Sequence, residues 1–130
     1  MQISQVSAVI FASRLERVAN FYVQVLGMQC LHQDQEHWLM QGFGFELVVH
    51  QIPPQYLCND VADNTPPKRR ESAAIRLDFP VANLASCRAS ALALGGEIDV
   101  PPTTTPGNTT LFCLGCDPEG NVIGLYQTSA

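Results

Sequence analysis

Apolar and polar positions alternate along this chain in two rhythms, and the two rhythms occur in the same order twice. The stretch SAVIFASRLERVANFYVQVLGM, from Ser7, opens with two-residue alternation and then shifts to helical spacing. Leu15, Val18, Ala19, Tyr22, Val25 and Leu26 recur on one helical face, and the segment ends on Gly27. The stretch RLDFPVANLASCRASALALGGE, from Arg76, has the same layout, with Leu84, Cys87, Ala91 and Leu94 at helical spacing. Adding 69 takes Ser7 to Arg76, Leu15 to Leu84, Val18 to Cys87, Val25 to Leu94 and Gly27 to Gly96, which marks an internal repeat.

Short strand-like runs punctuated by turn residues follow each helix: HWLMQGFGFELVVHQI in the first half, TTLFCLG and NVIGLYQT around the DPEGN turn in the second. Each half therefore predicts one strand, one helix and about three further strands. The fold class expected is α+β, with paired βαβββ modules forming a curved mixed sheet around a shared cavity. The modules are expected at 1–52 and 73–130, joined by a proline-rich polar linker, 53–72, within one domain. Strand alternation sorts the side chains into two faces. Leu47, Val49, Leu77, Phe79, Ile123 and Leu125 are strongly apolar and belong beneath the helices. A mixed set, with Ser7, Val9, Phe11, Glu46, Val48, His50, Arg76, Asp78, Val122, Gly124 and Tyr126, is left for the cavity.

Composition narrows the function classes. The 130 residues, 46% hydrophobic and 15% charged, fit a single soluble domain, and no apolar run approaches the ~20 residues of a membrane span. The N-terminus lacks a basic flank and does not read as a signal peptide, so a cytoplasmic protein is expected. A formal net charge of −5 argues against nucleic acid as a partner, since such binding draws on Lys and Arg at phosphates. The one basic cluster, Lys68 to Arg70, lies in the linker and reads as a solvated loop. Five cysteines without framework spacing favour reduced thiols, and Cys113 and Cys116 form a lone CLGC that could be half a zinc site or a redox pair. His32 and His37 lie in and just before an expected hairpin and read as surface histidines. His50 shares a face with Glu46, but four strand steps separate them by roughly 13 Å, too far to share an ion.

The helix end FYVQVLGM at Phe21 to Met28, the helix end ALALGGEI at Ala91 to Ile98 and the terminal DPEGNVIGLYQ resemble the vicinal oxygen chelate superfamily, which holds glyoxalase I, fosfomycin and bleomycin resistance proteins and extradiol dioxygenases. The resemblance covers nearly the whole chain. It implies the paired-module fold, a homodimer and, in many members, a divalent metal held by inward residues on the first and fourth strands of each module. Those four positions fall here on Ser7, Glu46, Arg76 and Gly124. Glycine cannot ligate, a guanidinium repels a cation, and a serine hydroxyl is a weak donor, so no metal and no cofactor are expected.

Two readings of this set remain open. In one, Arg76 pairs with Glu46 or Asp78 as a satisfied salt bridge in the place of the metal. In the other, Arg76 offers planar donors to a carboxylate or phosphonate, Gly124 makes room for it, and aromatic residues, Trp38 and Tyr126 first, cover its apolar part. The function expected is a metal-independent small-molecule-binding protein that sequesters or senses an organic ligand, anionic or aromatic, through Ser7, Trp38, Glu46, Arg76, Gly124 and Tyr126. The alternative is a glyoxalase-like lyase or isomerase, or a dioxygenase, with a divalent metal in a non-standard site.

Overall fold

The computed structural model describes residues 2–57, 67–101, 107 and 110–128. The chain divides into two compact units, 1–64 and 65–130, and residues 58–66 of the expected linker lie outside the described residues. Each unit holds a four-stranded mixed sheet and one helix, in the α+β pattern that the repeat predicts.

In the first unit the elements run β1 (Ser7–Ala12), α1 (Leu15–Leu26), β2 (Gln29–Gln33), β3 (His37–Gly42) and β4 (Phe45–Gln51), followed by a 3₁₀ turn at Pro54–Tyr56. The spatial order is β1-β4-β3-β2, with β1 parallel to β4 and the rest antiparallel. Alternation sends Leu47 and Val49 of β4, with their partners Met40 and Trp38 of β3, to the helix side. There they are buried against the apolar stripe Leu15, Val18, Ala19, Tyr22, Val25 and Leu26 of α1. Gly27 ends α1 in the left-handed conformation at φ 74°, where its N–H and that of Met28 reach back to Val23 and Tyr22.

The second unit repeats this order with β5 (Leu77–Pro80), α2 (Leu84–Ala93), β6 (Glu97–Ile98), β7 (Thr110–Cys116) and β8 (Val122–Thr128). Its sheet runs β5-β8-β7-β6, again with the first and last strands parallel. Phe79, Ile123, Leu125 and Cys113 are buried on the helix side with Leu84, Cys87 and Ala91 of α2. The repeat is not exact in length. The second helix has 10 residues against 12, and its left-handed residue is Gly95, one position before the Gly96 that the offset of 69 aligns with Gly27.

One device recurs in both units and lies outside the apolar pattern. A glutamine near the end of the closing strand turns to the helix side and caps the helix start: Gln51 accepts from the Leu15 N–H at 3.1 Å, and Gln127 from the Leu84 N–H at 2.7 Å. The first four N–H groups of a helix have no internal acceptor. Arg14, at the first N-cap, supplies no side-chain cap, whereas Asn83 at the second accepts from Ser86.

The DPEGN turn between β7 and β8 is organised by Asp117, which is fully buried and accepts from the Glu119 and Asn121 N–H groups and from the Asn121 side chain. Gly120 follows at φ 82°, so close to the Lys68 carbonyl that a side chain would have no room. Among the described residues no helix is long and apolar enough to cross a membrane.

Candidate functional site

The six residues expected to form a site fall into three groups. In the first unit Ser7 and Glu46 are direct partners across β1 and β4 and share the face opposite α1. Glu46 is 1% exposed, and its carboxylate accepts from the Ser4 hydroxyl at 2.8 Å and from the Ser4 N–H at 3.3 Å. Trp38 is not with them. It is paired with Val49, points to the helix side and is 8% exposed, so it is a core residue of the first unit rather than a cover for a ligand. The reason is strand parity: one step separates Trp38 from the open-face residues His37 and Leu39.

In the second unit Arg76, Gly124 and Tyr126 come together on the face opposite α2, with two residues that decide their roles. Gly124 is the direct partner of Asp78. A Cβ at Gly124 would overlap the Asp78 carboxylate and approach the Phe112 ring to 2.9 Å. The glycine is therefore needed for space, and the occupant of that space is Asp78. Its carboxylate takes Arg76 in a two-point grip, Nε to Oδ1 at 2.7 Å and Nη2 to Oδ2 at 3.1 Å. Donating these hydrogen bonds to Asp78 raises the Arg76 pKa above its ordinary value. The guanidinium carbon lies 5.2 Å from the centre of the Phe112 ring, and Phe112 packs on Tyr126 at 4.6 Å between centroids. Of the partners the sequence left open for Arg76, the structure selects Asp78.

This surface is reachable: the Arg76 side chain is 41% exposed and Tyr126 39%. Nη1 of Arg76 and the Tyr126 hydroxyl make no hydrogen bond among the described residues. Phe112 was not singled out in the sequence, because a phenylalanine in an alternating strand reads as core. The signal that could have found it is parity, since Phe112 is two steps from Leu114, the partner of Gly124.

The fold's customary metal fits neither unit. The first unit offers one carboxylate with both oxygens accepting from Ser4, beside a serine. The second offers a guanidinium locked to a carboxylate and a glycine with no space for a donor. The cysteine pair also separates. Cys113 pairs with Leu125 on the helix side, and Cys116 pairs with Val122 on the other face, so the two thiols cannot act together. Both are buried, and burial pushes the Cys116 thiol up to about 11 and the Cys113 thiol above its usual value. In the basic cluster, Arg69 is held by Glu97 at 3.0 Å and Asp99 at 2.7 Å, so it is a structural ion-pair partner.

A model of the glyoxalase-like domain matches residues 7–126. The chain belongs to the glyoxalase-like domain family. Solved structures agree in fold with this glyoxalase-like domain. A glyoxalase-related enzyme from Fulvimarina pelagi is 22% identical, with TM-score 0.66 over 96% of this chain and 88% of the other. A glyoxalase/bleomycin resistance protein/dioxygenase family enzyme from Burkholderia phytofirmans PsJN is 16% identical, with TM-score 0.66 over 95% and 97%. TioX from Micromonospora sp. ML1 is 18% identical, with TM-score 0.62 over 97% and 99%. No curated protein matches the chain. At these identities the likeness is one of fold, and the reaction or ligand must be argued from the residues.

Proposed function

We propose that this glyoxalase-like domain is a cytoplasmic small-molecule-binding protein that sequesters or senses a planar, anionic organic ligand, and does so without a metal at the fold's customary positions. The observation that carries the reading is the occupant of the Gly124 space: Asp78 fills it and clamps Arg76 over Phe112, beside the exposed Tyr126. A metal enzyme of this architecture needs donors there, and this chain has an aromatic and guanidinium surface.

The ligand's ring packs on Phe112 and Tyr126, and its carboxylate or phosphonate accepts from Nη1 of Arg76. Because Asp78 offsets the Arg76 charge, stacking and hydrogen-bond geometry select the ligand more than charge does, and affinity depends weakly on salt. Val9 and Phe11 stand 49% and 58% exposed on the open face of β1, an apolar patch that supports a homodimer. Sedimentation measures that state directly, and a monomer at all concentrations would remove it from the proposal.

The test of the ligand site is calorimetric titration with a panel of aromatic carboxylates and phosphonates. Arg76→Ala is expected to weaken binding roughly tenfold and Tyr126→Ala by a similar factor, with the fold intact by circular dichroism. A ligand whose affinity is the same in both variants and in the parent would overturn the assignment of this surface.

A further inference from the structure

The three histidines of this chain are brought into one column, and the sequence gives no sign of it. The rings of His32 and His37 stack at 5.1 Å with 22° between planes, and those of His37 and His50 at 6.0 Å with 17°. His37 and His50 are cross-strand partners and share a face as a matter of course. His32 does not, by simple alternation. Cys30 pairs with Met40 on the helix side, and two steps on, His32 should follow it there. A β-bulge between Cys30 and His32 shifts the register, so that His32 pairs with Leu39 and emerges on the face of His37. Bulges are common on edge strands such as β2 and beside functional sites, where they re-aim a side chain.

Asp34, in the turn between these strands, closes the group. Its Oδ1 accepts from the Glu36 and His37 N–H groups at 2.8 and 2.9 Å, which fixes the carboxylate. Its Oδ2 lies 2.9 Å from Nε2 of His32, and its Oδ1 lies 3.6 Å from Nδ1 of His37. Ligand atoms around a tetrahedral ion with bonds near 2.0–2.2 Å stand roughly 3–3.5 Å apart, and the three donors here all lie within 4.8 Å of one another. His37 presents its two ring nitrogens differently. Its Nδ1 is the nitrogen that faces Asp34, while its Nε2 is buried and makes no hydrogen bond among the described residues.

We propose that His32, Asp34 and His37 form a binding site for a divalent transition-metal ion at the β2–β3 hairpin. Two imidazoles and one carboxylate suit Zn²⁺, Ni²⁺, Co²⁺ or Cu²⁺ and disfavour Mg²⁺ and Ca²⁺, which want oxygen donors. The backbone N–H groups on Asp34 are the outer contacts that hold a ligating carboxylate in place. His32 and Asp34 are each 43% exposed, which leaves coordination positions open to water or a small molecule. Asp34 also borders a groove of about 620 Å³ beside Arg14, Arg17 and Asn20 at the start of α1. The site shares no residue with the Arg76 surface and stands or falls separately.

The experiment is titration of the full chain, with any affinity tag removed, by Zn²⁺ and by Ni²⁺ against a chromophoric chelator, together with the visible spectrum on adding Co²⁺. One ion per chain is expected, weakened about tenfold or more by His32→Gln, by His37→Gln and by Asp34→Asn, with the Co²⁺ bands lost in each. His50→Gln, which removes a stacking neighbour but no donor, is expected to retain the parent affinity. Because Asp34 also holds the turn, His32→Gln is the deciding variant: it removes an exposed donor and leaves the Asp34 bonds to the turn intact. Absence of stoichiometric binding, or affinity unchanged in His32→Gln, would overturn the site and leave Asp34 as a turn residue alone.

Discussion

At Gly124 the closing strand carries no side chain on the face opposite α2, and the space goes to Asp78 from the neighbouring strand. Gly124→Ala would force the carboxylate aside and crowd Phe112, so the grip on Arg76 would loosen. We expect a loss of about 1–3 kcal/mol in urea denaturation, the range of overpacking in a filled site. In an Asp78→Ala background the same change should cost less, since the main obstacle is gone, and additive losses in the two backgrounds would show that Asp78 is not what the glycine accommodates. The lack of a ligating side chain at Gly124, and the charge of Arg76, were legible in the sequence. Which carboxylate holds Arg76 was not. Asp78 and Glu46 both belonged to the mixed set, and only strand register puts Asp78 against the glycine.

At the scale of elements, the apolar periodicities placed both helices and their buried stripes, except that Leu94 is the half-buried C-cap residue of α2 rather than part of its stripe, while polar tethers and register shifts escaped them. Gln51 ties the start of α1 to the end of β4: besides accepting from Leu15, its amide donates to the Ser13 and Ile52 carbonyls at 2.7 and 3.2 Å. Arg14 gives α1 no side-chain cap, so Gln51→Ala should destabilise the protein by about 1 kcal/mol, read as a shift in denaturation midpoint with unchanged slope. Gln127→Ala should cost less, because Asn83 remains as a cap for α2; an equal or greater loss there would assign the stabilisation to something other than capping. The bulge before His32 was invisible for a related reason. Bulges depend on how two strands twist against each other, and no residue type in QCLHQ demands one.

At the scale of the whole molecule, two units near 65 residues repeat one plan with different polar contents. A unit of this size buries only about 60% of its unfolded surface and is marginal alone. A fragment of residues 1–64 is expected to show little stable structure by amide-exchange protection, and full protection in it would make the first unit an autonomous domain. The net charge of −5 belongs to the same scale and specifies no ligand.

The sequence by itself determined the two modules, their helices and the apolar faces beneath them. These follow from periodicity and residue chemistry, both local properties of the chain. Only the tertiary structure decided that Trp38 belongs to a core, that Asp78 fills the Gly124 space and clamps Arg76 over Phe112, and that a bulge brings His32 beside His37 and Asp34. Those outcomes turn on cross-strand register, where a single step moves a side chain to the other face of the sheet.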